Sequence, residues 1–179
     1  MKRSILLIVS IMVISTSLHA QRMNTIKTDL FSPVIRTYAI KYERAFTKDV
    51  SFQLGLFYTG FHPRDSETTL SGYGITPEFR FYLSDTPAPH GTYLAPNIRY
   101  MSLTVTDPIA NEEGTLTNLN FAINLGKQVL FKDIVLIDAW VGPSYNFRSL
   151  DDPSGNIEVG RAEVNGFGLR LGIAIGLAF

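Results

Sequence analysis

At the C-terminal end, Phe167, Leu169, Leu171, Ile173, Ile175, Leu177 and Phe179 alternate with Gly166, Gly168, Arg170, Gly172, Ala174, Gly176 and Ala178. Side chains of a strand point to opposite faces in turn, so the alternation predicts a strand with one greasy face and one small or charged face. Gly168, Gly172 and Gly176 also have the spacing of a packed membrane helix. That helix would be about 14 residues long with Arg170 inside it, too short to span a bilayer.

The same two-residue period recurs upstream with weaker contrast. Over 34–46, Tyr38, Ile40 and Tyr42 oppose Thr37, Ala39, Lys41 and Glu43. Over 50–61, Phe52, Leu54, Leu56 and Tyr58 oppose Ser51, Gln53 and Gly55. The segment 72–83 sets Tyr73, Ile75, Phe79 and Phe81 against Gly74, Thr76, Glu78, Arg80 and Tyr82. Further strands are predicted over 92–103, with Leu94, Ile98 and Tyr100 against Asn97 and Arg99, and over 117–126, with Leu119, Phe121, Ile123 and Leu125 against asparagines. Another covers 135–150, where Val135, Ile137 and Val141 oppose Asp138, Trp140 and Gly142. With a short first strand over 24–31, this predicts an all-β chain of about eight strands.

Sandwiches and lipocalin-type barrels also use alternating strands, with the polar face in water. Here the second face carries Gly, Ala, Trp140 and isolated charges, where a wet face should be dense in Lys, Glu and Thr. A closed antiparallel barrel turned inside out accounts for it: apolar residues outward to lipid, small and charged ones inward, no edge left unpaired. Connection lengths fit, with short or medium turns at 47–49, 84–91 and 127–133 and long loops at 62–71, 104–116 and 151–163. The long ones fall on one side, as expected of extracellular loops, and only the turn at Ser32 and Pro33 is unusually short for that side. Tyr58, Tyr73, Tyr100 and Tyr145 would form an upper aromatic girdle and Phe46, Phe52, Phe81 and Phe179 a lower one. Pro77, Pro96 and Pro143 fall within strands and predict bulges or local breaks, because proline lacks a ladder donor.

Lys2 and Arg3, an apolar run from Ile5 to Ile14 and the stretch from Ser15 to Ala20 match the three regions of a cleavable secretory signal, residues 1–20, leaving 21–179 as one barrel domain. Leu18 is larger than usual three positions before such a cut, so the site is fixed only to within a few residues. The remainder carries 14 cations, the 16 of the whole chain less Lys2 and Arg3, against 16 anions. No basic surface points to nucleic acid. Cysteine is absent, which excludes thiol catalysis, disulfides and an N-terminal lipid anchor.

The C-terminal alternation ending in Phe179 resembles the assembly signature of bacterial outer-membrane barrels. The plan resembles the OmpX family and the membrane domain of OmpA. The segments IKTDLFSP, KYERAF, TPEFRFYL and WVGPSY, which begin at Ile26, Lys41, Thr76 and Trp140, are similar to an uncharacterised group of small Gram-negative outer-membrane barrels. The resemblance implies an outer-membrane protein surrounded by lipid and lipopolysaccharide and handled by the outer-membrane assembly machinery. It brings no reaction, ligand or cofactor.

An eight-stranded barrel has an interior just filled by side chains. The inward charges in this register are Asp29, Glu43, Glu78 and Asp138 against Lys41, Arg80, Arg99 and Arg170, a balanced set read as a structural ion network, with Gly55, Gly74, Gly142 and Gly172 making room for the long arginines. No catalytic, cofactor or metal residues are assigned. A lipid-modifying enzyme would have to use His62, in a loop with Asp65 and Ser66, and His90 lacks an inward serine beside it. The acidic loops, with Asp107, Glu112, Glu113, Asp151 and Asp152 among others, lack the ligand spacing of a calcium loop. A structural or interaction role is expected, with any protein partner reached through the outer loops or the barrel wall, and a passive channel is disfavoured by the filled interior.

Overall fold

A computed structural model describes residues 23–61, 69–107, 112–151 and 165–179. Eight strands follow in chain order: β1 Asn24–Asp29, β2 Thr37–Ala45, β3 Val50–Phe61, β4 Thr69–Tyr82, β5 Gly91–Asp107, β6 Glu112–Phe131, β7 Val135–Asp151 and β8 Gly166–Ala178. Each pairs antiparallel with its chain neighbours, and β1 pairs with β8 to close the barrel. Closure leaves no sheet edge over the paired stretch, which is the condition for placing strands in hydrocarbon. Both described termini and the three short turns lie at one end, here called the lower end. Residues 1–22, including the leader expected at 1–20, lie outside the described residues.

The turns follow from local chemistry. Between β6 and β7 the Ile134 N–H donates to the Phe131 carbonyl at 3.1 Å, with Lys132 and Asp133 at φ 51° and 58°. Two consecutive left-handed residues make a type I′ turn, whose twist matches that of the flanking strands. Between β2 and β3 the Thr47 hydroxyl accepts from the Val50 and Asp49 N–H groups at 3.0 and 3.2 Å. Residues 83–90 fold under the lower mouth: the Ala88 N–H donates to the Lys48 carbonyl at 2.7 Å, the peptide bond from Ala88 to Pro89 is cis, and Ala88 packs with Ala45, Tyr82, Tyr93 and Ala95 in a buried cluster.

Several expectations are corrected. The loop read at 104–116 is mostly strand, with Thr104 opposite Thr115 and Asp107 opposite Glu112, so only 108–111 remain between β5 and β6. The turn read at 127–133 shrinks to residues 132–134, because β6 continues with Gln128 inward. The unbroken apolar run Val129, Leu130, Phe131 hides the two-residue period there. The connection after β1 is longer than Ser32 and Pro33 suggest. It spans residues 30–36, contains one 3-10 turn over Ser32–Ile35, and ends in Arg36 at φ 53°.

The prolines produce gaps without bulges. Between β4 and β5 the ladder runs Ile75 opposite Tyr100, Glu78 opposite Asn97 and Phe81 opposite Leu94, skipping the positions around Pro77 and Pro96 while keeping one register. Between β6 and β7 it skips from Ala122 opposite Ser144 to Leu125 opposite Val141, around Pro143. A missing N–H removes one ladder bond but adds no residue to the strand. The inward glycines also serve differently from expectation. A Cβ on Gly172 would strike the Trp140 ring, on Gly74 the Phe57 ring, and on Gly142 the Ile123 carbonyl, so these glycines admit aromatic rings and a neighbouring backbone. A Cβ on Gly55 meets only ordinary contacts with Lys41 and Thr76, at 3.5 and 3.6 Å.

Gly176 sits where β8 closes on β1, opposite Lys27, and a Cβ there would overlap the Ile26 carbonyl oxygen. A Cβ on Gly166 meets nothing within 4 Å. Gly176→Ala is therefore expected to destabilise the barrel by about 2 kcal/mol or more, and Gly166→Ala to stay within about 0.5 kcal/mol of the parent. Urea titrations of the refolded protein in lipid vesicles compare them.

Candidate functional site

Alternation along the strands delivers nearly all buried polar side chains to one enclosed axis, and they sort into two storeys. In the lower storey Glu43 of β2 accepts hydrogen bonds from Lys27 at 2.6 Å, the Tyr82 hydroxyl at 2.7 Å, Gln128 at 3.2 Å and the Ser51 hydroxyl. Asp138 of β7 accepts from the Tyr93 hydroxyl at 2.6 Å and pairs with Arg80 at 2.9 Å and Lys27 at 3.2 Å. Arg80 also donates through Nε to Glu78 at 2.7 Å, and Glu78 accepts from Gln53 at 3.1 Å. Gln128 closes the network: its carbonyl accepts from Lys27 and Arg80 at 2.8 and 2.9 Å, and its amide donates to the Pro89 carbonyl at 2.6 Å. Lys27, Glu43, Arg80 and Asp138 are all buried. Desolvating ions is costly, and mutual pairing with full hydrogen bonding is what offsets it.

Above this cluster, Lys41 pairs with Asp29 and lies 3.8 Å over the Trp140 ring. The upper storey is different. Arg99 donates through Nε to the Thr76 hydroxyl at 3.1 Å and stacks 4.9 Å from the Phe57 ring. Arg170 donates to the side-chain carbonyls of Asn97 and of Asn120, the latter at 3.3 Å. Neither has a carboxylate partner among the described residues. Around and above them the inward face turns apolar, with Leu103, Val105 and Leu116 forming a buried cluster against Leu70 and Met101.

The structure places Asp29, Lys41, Glu43, Glu78, Arg80, Arg99, Asp138 and Arg170 on the inner face of the barrel. Their grouping was not foreseen: Asp29, Lys41, Glu43, Glu78, Arg80 and Asp138 join ion pairs, while Arg99 and Arg170 stand apart. The balanced reading of four charges of each sign is corrected by Lys27, a fifth inward cation. It has the same parity as Asp29 on β1, and that parity was the signal for it. Gln128 was missed because β6 runs further than the alternation suggested, whereas Tyr93 lies within the strand predicted over 92–103, with the inward parity of Asn97 and Arg99, and drew no notice because it carries no charge. Phe179 lies half-exposed at the lower end, its N–H donating to the Asn24 carbonyl at 2.9 Å. His62, Asp65 and Ser66 lie outside the described residues. His90 lies in the turn at 83–90, its N–H bonded to the Pro87 carbonyl at 3.1 Å and its carbonyl accepting from the Thr86 hydroxyl at 3.0 Å. Among the described residues no group of His, Cys, Asp and Glu is arranged to hold a metal ion.

The family model described as "Protein of unknown function (DUF3575)" matches residues 5–147. The chain belongs to this family. No curated protein matches it. Among solved structures, the crystal structure of the N-terminal β-barrel domain of Pseudomonas aeruginosa OprF is similar, with a TM-score of 0.55 at 14% identity over 89% of this chain and 98% of that one. At that identity the likeness bears on the fold, a closed eight-stranded antiparallel barrel. The DUF3575 match ends at Phe147 and therefore includes Lys27, Glu43, Arg80 and Asp138 of the lower storey but leaves out Arg170 on β8.

Removing one member of a buried, fully paired cluster leaves an uncompensated charge, which costs on the order of 3–5 kcal/mol. Glu43→Gln is expected to lose stability in that range, whereas Lys48→Ala, which removes an exposed pair with Asp49, should change it by less than about 1 kcal/mol. Chemical denaturation followed by the gel mobility of unboiled samples measures the difference.

Proposed function

We propose that this chain is an integral outer-membrane β-barrel with a structural or interaction role, its wall in lipid and its interior closed by the ion network. The observation that carries the reading is the inversion of the barrel. Tyr38, Leu56, Tyr73, Ile98, Ile123, Val141 and Leu171, on seven consecutive strands, are exposed on the outer wall, while Lys27, Glu43, Arg80 and Asp138 are buried inside. A water-soluble barrel does the reverse, because exposed apolar area on this scale is costly in water. Tyr38 lies opposite Tyr58 and Tyr58 opposite Tyr73, a row of outward tyrosines of the kind that sits at a membrane interface.

The expected surroundings are outer-membrane lipid and lipopolysaccharide. The apolar C-terminal strand with Phe179 is the segment we assign to recognition by the outer-membrane assembly machinery, after export on the leader at residues 1–20. Any protein partner would be met by the barrel wall or by the upper connections.

The lower mouth is covered by residues 83–90, and the lower axis is filled by paired side chains. Purified protein in planar bilayers is therefore expected to carry no sustained ohmic current, and cell fractionation to place it with the outer membrane in a form that runs faster unboiled than boiled. Steady openings of the wild type would contradict the closed interior, and recovery as a soluble periplasmic protein would contradict the lipid-facing wall.

A further inference from the structure

β1 is much shorter than its neighbours, and this opens the wall. Its ladder to β8 covers Thr25 to Asp29 against Ala174 to Ala178, and one more bond joins the Leu30 N–H to the Ile173 carbonyl at 2.9 Å. β8 continues upward to Gly166, paired with β7 throughout, but above Ile173 its β1 side has no backbone partner among the described residues. Phe167, Leu169 and Leu171 along this stretch are strongly exposed, Phe167 at 90%. A cavity of about 420 Å³ passes through the seam, bounded by Phe31, Leu169 and Leu171 on the wall and by Asp29, Arg99 and Arg170 within. A second cavity of about 400 Å³ shares Asp29, Ser32 and Arg99 with it and extends among Phe57, Leu70, Met101 and Leu103.

The chemistry lacking in this place is an anion. Guanidinium groups stay charged at any relevant pH, and an enclosed cation without a counter-charge is costly. Among the described residues Arg99 and Arg170 hydrogen-bond only to neutral oxygens, from Thr76, Asn97 and Asn120, and the two carboxylates that act on them, Asp29 and Glu78, are already paired with Lys41 and Arg80. The space beyond Arg99 is mostly apolar, lined by Phe57, Leu70, Met101 and Leu103 with Thr37, Thr59 and Lys41 among them. A cationic floor under an apolar chamber complements a molecule with an anionic head and an alkyl tail. Its volume lies within the range of about 300–1,000 Å³ of small-molecule sites and suits one chain better than a two-chain lipid with its headgroup.

We propose that the upper half of the barrel is a binding site for a long-chain carboxylate, which enters through the seam between β1 and β8, sets its carboxylate on Arg99 and Arg170, and lays its tail against Phe57, Leu70, Met101 and Leu103. This goes beyond an anchoring or interaction role and does not depend on it.

Retention of radiolabelled palmitate by the purified full chain in dodecyl maltoside micelles, corrected for empty micelles, tests the site without a bilayer, so that failure here and failure of the membrane placement are read separately. About one palmitate per chain is expected. Arg99→Gln should weaken binding at least about tenfold, as loss of one partner of a buried charge pair does. Gly55→Leu, which fills the cavity where a Cβ is tolerated, should abolish it, while both variants keep the fast unboiled gel mobility. Cetyl alcohol, with the same chain and no charge, should compete poorly. Equal competition by cetyl alcohol, unchanged binding by Gly55→Leu, binding of phosphatidylglycerol in preference to palmitate, or no palmitate retained by the folded wild type would each overturn the proposal.

Discussion

Glu43 and Asp138 enter the barrel from β2 and β7, and Lys27 and Arg80 meet them from β1 and β4. These four charges, with Gln128 and the hydroxyls of Tyr82 and Tyr93, occupy the lower half of the axis. An eight-stranded barrel leaves no room there for bulk water. The four charges of this cluster therefore find their partners on other strands. That pairing ties strands distant in sequence into one register, and it makes the interior, where other folds keep a hydrophobic core, the polar part of the molecule. Small residues follow from it: Gly126 gives way to the Tyr93 ring, which reaches Asp138.

A polar interior decides what the exterior is. The apolar half of each strand has nowhere to go but outward, and the wall is stable only where hydrocarbon replaces water. Closure of the sheet then becomes a condition of residence, and the places where the wall departs from it carry meaning. At Pro77, Pro96 and Pro143 the ladder loses bonds but the register holds. At the upper end of β1 the ladder to β8 stops, and the two arginines that have no carboxylate partner among the described residues lie just inside that point.

Much of this fold can be read from the chain because alternation is the whole code of a barrel strand: the C-terminal strand, the outward tyrosines and the inward eight charges all follow from parity. Parity fails where both neighbours are apolar, as at Val129 to Phe131, and where a strand continues through polar residues, as at Thr104 to Asp107, whose side chains read as a loop. It is also silent about distance along the axis. Lys41, Arg80, Arg99 and Arg170 all point inward, yet the first two pair with carboxylates and the last two hydrogen-bond to a threonine and to asparagines, and only the strand register separates them. The shortness of β1 was equally hidden, since Leu30 and Phe31 continue its apolar character into the 3-10 turn.

The inverted wall is the claim on which the rest stands, and the absence of cysteine makes it directly measurable. Single cysteines placed one at a time from Asn118 to Leu125 on β6, each carrying a nitroxide in the protein reconstituted into vesicles, report collisions with oxygen dissolved in lipid and with a water-soluble nickel complex. A lipid-facing wall gives a two-residue period in which Leu119, Phe121, Ile123 and Leu125 are accessible to oxygen while Asn118, Asn120, Ala122 and Asn124 are shielded from it. High nickel accessibility at Phe121 and Ile123, or an oxygen profile with the opposite phase, would contradict it.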